Sequence, residues 1–259
     1  MTKDTDRYYI EALGRGFRIL EAFTESEPRL SLTEISARVG LDKSTVFRLT
    51  YTLEKLGYLI RDPDTKHYRP GLGVLRLGFT TLNSLGIRQV AQPYLKALAA
   101  QTGETTNMTI RDGKEVVYVA RFRTRQIISI NIQVGSRLPV YCTSMGKAQL
   151  VDMGRDELHD LLGEGPYRAM GPNTITSLDA LVAELDKVRQ QGYAINNEEL
   201  AAGLRSVAAP VRNFEGEIVA ALNISVPSVR VSRQKVEADL APLVKATAEE
   251  ISLALGAYH

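Results

Sequence analysis

Residues that bind metals or form cross-links are nearly missing from this sequence. A single cysteine, Cys142, excludes an internal disulfide framework and any multi-cysteine zinc site. Three histidines, scattered at 67, 159 and 259, do not make a metal cluster, so neither a metal nor a cofactor is expected. No apolar run reaches the roughly 20 residues needed to cross a bilayer. The opening MTKDTDRYYIEALGR is too polar for a secretory signal, which points to a cytoplasmic protein without membrane contact. Internal repeats and low-complexity tracts are lacking too. What remains is an ordinary soluble composition over 259 residues with a net charge of +2, long enough that two domains are the natural expectation.

One further shortage is local. Between Lys43 and Arg76 the acids are Glu54, Asp62 and Asp64, against Lys43, Arg48, Lys55, Arg61, Lys66, Arg69 and Arg76. Within this stretch Val46, Leu49, Leu53 and Leu56 recur at helical spacing and define a buried face. Lys43, Ser44, Thr45, Phe47, Arg48, Tyr51, Thr52 and Lys55 are left outward. A solvated helix mixes acids with bases, whereas hydroxyls, amphipathic rings and positive charge suit a phosphate-bearing partner. A solubilising surface is the alternative reading of the same charges.

The flanking segments give that helix a setting. LGRGFRILEAFTES repeats Leu13, Phe17, Leu20 and Phe23 on one helical face. SLTEISARVG holds a capping box, Ser31 with Glu34, then buried positions Ile35 and Val39 and a stop at Gly40. Asp42 caps the basic helix. Two helices, a tight turn and a third helix are the sequence form of a helix-turn-helix. Beyond Gly57, YLIRD and HYRPG alternate as short strands around the turn DPDTK, which is a wing.

Residues 8–70 therefore read as a winged helix-turn-helix within a first domain of 1–70. Leu72, Leu75, Phe79 and Leu82 continue at helical spacing, giving a linker helix over 71–86 whose apolar seam suits a dimer contact. Residues 87–259 make the second domain. Its strands are TTNMTIR, EVVYVARF, IISINIQV, YAINNEE, LRSVAAPVR and EIVAALNISV. Its helices are a first one ended by Gly103, TSMGKAQLVDM, RDELHDLLG, SLDALVAELDKVRQQG between Ser177 and Gly192, and a last one over about 232–255. Runs of strands flanked by helices predict an α+β domain on an antiparallel sheet, and a two-domain α/β chain overall.

A helix of this kind fits the major groove, where its first turns meet base edges and donors grip phosphates. Lys43, Ser44, Thr45, Phe47 and Arg48 occupy that leading end. Arg48 suits guanine O6 and N7, and Phe47 a thymine methyl. Tyr51 and Thr52 suit phosphates, as do Arg15 and Arg18 on the first helix. In the wing, Lys66, His67, Tyr68 and Arg69 form a basic, aromatic strand able to follow the backbone or probe the minor groove.

The segment LGRGFRILEAF, with LSLTEISARVGLDKSTVFRLTYTLEKLGYL after it, resembles the N-terminal domain of the IclR family of bacterial transcription regulators. LPVYCTSMGKAQL resembles that family's P-x-H-x-x-A-x-G-K-A-x-L segment. GYAINNEELAAGLRSVAAPVRNFEGEIVAALNISVP resembles its signature of Gly-Tyr, an acidic pair, Gly-[VL], Ala-x-Pro-Val and Ala-Ala. Within the family, RLPVYCTSMGKAQL and GLRSVAAPVR look most like regulators of protocatechuate and β-ketoadipate catabolism. The resemblance implies a GAF-like effector-binding domain with a small-molecule pocket. Carried over motif by motif, the effector positions are Ser144, Met145, Asn196, Leu204, Ser206, Asn223 and Ser225. Where glyoxylate- and pyruvate-sensing members have an acid, a cysteine and a histidine, this sequence has Asn196, Ser206 and Tyr141. A tyrosine near the mouth favours a ring or a longer diacid.

Physical chemistry agrees with an acidic ligand. A helix beginning at Thr143 or Ser144 offers free N–H groups and hydroxyls to a carboxylate. The same residues raise an enzymatic alternative: Ser144 and Lys147 match the S-x-x-K pattern of serine acyl transfer, but no K-T-G or S-D-N partner follows. Cys142 has no histidine near it in sequence, and Glu198 and Glu199 would point to opposite faces of a strand. Catalysis is not expected.

The expectation is thus an IclR-type regulator that reads a palindromic operator in double-stranded DNA as a homodimer or dimer of dimers. It would sense a small carboxylic acid, aromatic or β-ketoadipate-like, and control a catabolic operon, touching RNA polymerase if it activates. The alternatives are an acyl-transfer enzyme and a DNA binder without ligand.

Overall fold

The computed structural model describes residues 8–24, 26–84, 86–123 and 132–257. The chain divides into two compact units, Met1–Ser84 and Leu85–His259.

The first unit opens with α1 (Glu11–Glu21) and α2 (Leu32–Val39). The capping box forms: Glu34 N donates to Ser31 Oγ at 3.3 Å, and Ser31 N to Glu34 Oε2 at 2.7 Å. Gly40 ends α2 at a φ of 66°, left-handed backbone that glycine adopts without a steric penalty. The basic helix α3 (Lys43–Lys55) starts after Asp42. Strands β1 (Leu59–Arg61) and β2 (Tyr68–Pro70) pair antiparallel as the wing, with Ile60 opposite Arg69. Helix α4 (Leu72–Ser84) completes the unit. Ile19, Leu30, Ile35, Val46, Leu59 and Tyr68 form its core.

Three sequence expectations change in this unit. Tyr68 does not face outward: it is 2% exposed, exchanges backbone hydrogen bonds with Leu30, and lies under the Arg61 guanidinium at 5.6 Å. One face of a two-stranded wing must pack on the helices, and alternation puts Tyr68 on that face and Arg69 on the other. Thr50, not Leu56, completes the buried side of α3. Its hydroxyl donates to the Val46 and Phe47 carbonyls at 2.9 and 3.0 Å, so burial leaves no polar atom unpaired. Leu56, with Leu13 and Phe17 of α1, is exposed, and the three line an apolar groove of about 320 Å³.

The second unit begins with α5 (Gly86–Thr102), β3 (Thr105–Asp112) and β4 (Glu115–Phe122). A short strand that the sequence reading missed, β5 (Arg137–Pro139), leads into a 3-10 turn, Val140–Cys142, and then α6 (Ser144–Leu150). The strand expected over 127–134 lies largely outside the described residues, and 132–134 are not strand. Helices α7 (Arg155–Leu162) and α8 (Leu178–Gln191) follow, then β6 (Ala194–Asn197), β7 (Leu204–Arg212) and β8 (Ile218–Pro227). Among the described residues these strands form one antiparallel sheet in the order β5-β4-β3-β8-β7-β6.

Alternation gives this sheet two faces. On one, Gln149 of α6 donates to Thr109 at 2.9 Å; on the other, Thr106 donates to the Leu95 carbonyl of α5 at 3.0 Å. Gly146 lets α6 abut the preceding turn, since a Cβ there would lie 2.2 Å from the Val140 carbonyl oxygen. The last helix is not uniform. Short α9 (Arg233–Lys235) passes through a π-helical turn, Val236–Leu240, into α10 (Ala241–Ala254). Pro242 explains the widening, because proline has no N–H to offer and crowds the carbonyl four residues back.

Candidate nucleic-acid interface and ligand pocket

Helix α3 presents its leading end as a firmly capped surface. Asp42 Oδ1 accepts from Thr45 N at 2.9 Å, and Oδ2 from the Thr45 hydroxyl at 2.7 Å. These bonds hold the Asp42 carboxyl below its usual range, the hydroxyl contributing most. Thr45 is thus first a structural partner of the cap and only half-buried beside the outer face. Lys43, Ser44, Phe47, Arg48 and Tyr51 are exposed. The Phe47 and Tyr51 rings lie 6.4 Å apart, and Lys55 Nζ sits 5.4 Å above Tyr51. Arg15 joins Thr45, Phe47, Arg48 and Tyr51 along an open groove between α1 and α3.

Not every basic residue there is equally free. Glu11 Oε1 accepts from Arg15 Nε at 2.9 Å and from Arg18 Nη2 at 3.2 Å. In the wing, Lys66 folds onto the Pro63 carbonyl at 2.5 Å, and His67 lies 3.9 Å from Glu34. Among the described residues Lys43, Arg48 and Arg69 have no ion-pair partner, so their charge is fully available to an anionic surface.

The second unit holds a different kind of site. Ser144, Asn196, Leu204, Ser206, Asn223 and Ser225 converge on one cavity between α6 and the sheet. Met145 does not: it is fully buried in the apolar core, one helix position away from the cavity wall. Tyr141 is not at the mouth either. Its hydroxyl donates to the Arg168 carbonyl at 2.8 Å and its ring packs on Tyr167 at 4.9 Å, so the argument from its ring to the ligand falls. The cavity is nearly closed, about 10 Å³, space for a single water.

Polar side chains run across the cavity floor. Ser144 Oγ and Ser206 Oγ are 2.7 Å apart. Asn107 Nδ2 donates to Asn223 Oδ1 at 2.8 Å and reaches Ser225 Oγ at 3.4 Å. Arg121 Nη1 donates to Asn107 Oδ1 at 3.0 Å. Burial and the charge of Arg123 together pull the Arg121 guanidinium below its usual pKa.

Sequence reasoning missed Arg121, and the reason is geometric. Counting by twos from the buried Tyr118 sends Arg121 to the opposite face. The register slips between Met108 and Thr109, so that Val119 has no partner and Arg121 pairs with Asn107. The bulge reverses the alternation and turns the arginine inward.

The acyl-transfer alternative loses its geometry here. Lys147 is fully buried, with Nζ donating to Glu199 at 2.7 and 2.9 Å and to the Ile195 carbonyl at 2.6 Å. That lysine cannot also activate Ser144, whose hydroxyl is shared with Ser206. Burial and the Glu199 charge push the Cys142 thiol up to about 12, so it is no thiolate. Glu198 turns away from Glu199, lying near Arg205 at 3.8 Å. Among the described residues no helix is long and apolar enough to cross a membrane, and no cluster could hold a metal ion.

A capped, basic helix with a wing, joined in one chain to a domain that encloses a polar pocket, defines a DNA-binding regulator with a ligand-binding domain. The family description "IclR helix-turn-helix domain" matches residues 12–63, and "Bacterial transcriptional regulator IclR C-terminal" matches residues 79–253. The chain belongs to the IclR family of bacterial transcription regulators, and the relatives it matches are regulators, not enzymes. It is 36% identical over 251 residues to the Pca regulon regulatory protein of Pseudomonas putida, covering 96% of this chain and 85% of that protein. A transcriptional regulator from Rhodococcus sp. RHA1 superposes with a TM-score of 0.84 at 36% identity, covering 95% of this chain and 98% of the other. An IclR homologue from Microbacterium hydrocarbonoxydans, solved in complex with 4-hydroxybenzoate, gives a TM-score of 0.83 at 26% identity over 95% and 99%.

Proposed function

We propose that this regulator senses a small organic acid, aromatic or of the β-ketoadipate type, and that the acid changes its hold on an operator controlling a catabolic operon. The operator has two half-sites related by two-fold symmetry, about one helical turn or a multiple apart. A homodimer or a dimer of dimers reads it, and an activator of this kind would also touch RNA polymerase. Such a protein works in the cytoplasm, where the DNA is.

The observation that carries the ligand class is the chemistry of the cavity wall. Ser144, Ser206 and Ser225 supply hydroxyls, Asn196 and Asn223 amides, and Arg121 a cation, while no carboxylate is among the described residues that line the cavity. Donors without acids select a ligand rich in acceptors. The name of the Pseudomonas putida relative and the hydroxybenzoate held by the Microbacterium hydrocarbonoxydans homologue support the aromatic side of the reading.

A melting experiment with the purified chain against benzoates, hydroxybenzoates and C4–C6 diacids tests it. An acid present at a hundredfold its dissociation constant adds about 2.7 kcal/mol of stability, and the same acid should change the affinity for DNA upstream of the regulated genes. If no acid raises the melting temperature or alters DNA binding, the chain binds DNA without sensing one.

A further inference from the structure

Two buried side-chain nitrogens lack a hydrogen-bond partner among the described residues, Arg121 Nε and Asn196 Nδ2. Both belong to the wall of the same cavity. Native interiors pair nearly all such donors, so an orphan at a cavity wall calls for a partner from outside the chain, a ligand or a water.

The orientation of each amide is fixed by its neighbours. Arginine only donates, so the Asn107 oxygen must face Arg121 and the Asn107 nitrogen must face Asn223 Oδ1. That leaves the Asn223 nitrogen as a further donor. Asn196 Oδ1 accepts from Glu199 N at 2.9 Å, which turns Asn196 Nδ2 toward the cavity. Flipping either amide would set donor against donor or strand the Glu199 N–H.

Among the described residues the charge of Arg121 is also uncompensated: none of those lining the cavity is acidic, and the buried carboxylate of Glu199 is committed to Lys147. Arg121 stands on β4 and Asn196 on β6, four strand intervals apart, about 19 Å along the sheet. The long arginine side chain closes part of that distance. Tyr118, Ile132, Leu200 and Leu204 supply apolar wall between the two ends.

We propose that Arg121 and Asn196 are the two anchors of the effector: Arg121 takes a carboxylate, and Asn196 takes a second acceptor at the far end of an elongated acid. The class is a para-hydroxylated aromatic acid or a linear diacid, which the cavity of about 10 Å³ admits only by widening; a three-carbon acid spans less of the interval between β4 and β6. This inference rests on the acid-sensing reading above and deepens it.

Titration calorimetry of the full chain with benzoate, 4-hydroxybenzoate, 4-hydroxybenzamide, adipate and pyruvate tests it. Either 4-hydroxybenzoate or adipate should bind at least tenfold more tightly than pyruvate, and 4-hydroxybenzamide at least tenfold more weakly than 4-hydroxybenzoate. With the acid that binds best, Arg121→Gln should lose at least tenfold in affinity and Arg121→Lys should lose less. Asn196→Ala should weaken 4-hydroxybenzoate while leaving benzoate unchanged. Because Arg121 has no acidic partner among the described residues and a glutamine amide can still donate to Asn107, Arg121→Gln without ligand should melt no lower than the parent protein, which separates a ligand anchor from a structural residue. An acid that binds Arg121→Gln as tightly as the parent, an amide that matches its acid, or pyruvate outbinding the longer acids overturns the two-anchor assignment alone. If the parent protein binds none of the acids, the sensing reading falls together with it.

Discussion

The two units handle hydrogen-bonding side chains in opposite ways. In the first, four acids are taken up by local structure: Asp42 caps α3, Glu34 closes the capping box, Asp62 holds the wing turn, and Glu11 pairs with Arg15 and Arg18. Hydrogen bonds, joined by nearby cations at Glu11, Glu34 and Asp62, hold all four carboxyls below their usual pKa. Lys43, Arg48 and Arg69 are left without an acidic partner among the described residues and face water. In the second unit the spare donors are inside, on the wall of a closed cavity, and the buried Glu199 is pushed up by desolvation more than Lys147 draws it down. A long polyanion has to be met on the surface, whereas a small acid is recognised by enclosing it. Each unit has its free donors where its partner has to be.

The hardest blow to this contrast falls on Lys147. It is a fully buried cation tied to the Ile195 carbonyl and to Glu199, and so fastens α6 to β6, which carries Asn196, and to the turn that follows it. Lys147→Met leaves Glu199 as an unpaired buried carboxylate, and breaking such a pair costs about 3–5 kcal/mol. Denaturant melts of the full chain should show that loss in the second unit's transition. Lys147→Met with Glu199→Leu should recover much of it, because removing both charges also removes the desolvation they share. A single variant as stable as the parent would mean that the buried pair contributes nothing to holding the pocket wall.

Arg48 tests the outer half of the comparison. It is exposed and has no acidic partner among the described residues, so Arg48→Ala should leave the fold intact. Operator binding should weaken by about 1–3 kcal/mol, with relaxed preference at one base pair, if the arginine reads guanine. Gel-shift titrations against operator variants separate this from a phosphate contact, which would weaken all sequences alike. An unchanged operator affinity would remove Arg48 from the interface.

How much of this was legible in the sequence also divides along the two units. The winged helix-turn-helix is built from local signals, and Ser31 with Glu34, Gly40 and Asp42 do structurally what their spacing predicts. Its misreadings came from packing: Thr50 hides a hydroxyl that its own helix satisfies, and Tyr68 belongs to the core of a wing too thin to have a second buried layer. The pocket is assembled from β3, β4, α6, β6, β7 and β8, so no local pattern describes it. Six of its positions could be named through the family resemblance, but Met145 could not be told from a core methionine one residue along the helix. Arg121 was hidden by a single extra residue, since a bulge at Val119 makes period-two counting fail. Lys147 was visible in the sequence only as half of the S-x-x-K match, because its burial and its pairing with Glu199 depend on the chain fold around it.

The smallest effect concerns the exposed acids, and pH gives it a sign. Asp42 carries a carboxyl whose pKa is lowered from 3.8 in the folded protein by its bonds to Thr45. Such a group stabilises the fold fully above its unfolded value, and the contribution is lost as pH falls through the folded one. Asp42→Ala should therefore lower the melting temperature of the first unit by a few degrees near neutral pH. The gap to the parent should narrow once the pH drops below about 4, because the parent's own cap is then being protonated. Glu199 carries the opposite shift, so its titration contributes with the opposite sign over the range above 4.5. A pH series of melts on the parent and Asp42→Ala reads the difference directly. A gap that stays constant from neutral to acid pH would show that the ionised carboxylate is not what caps α3, and that the acids of the first unit are spare charge after all.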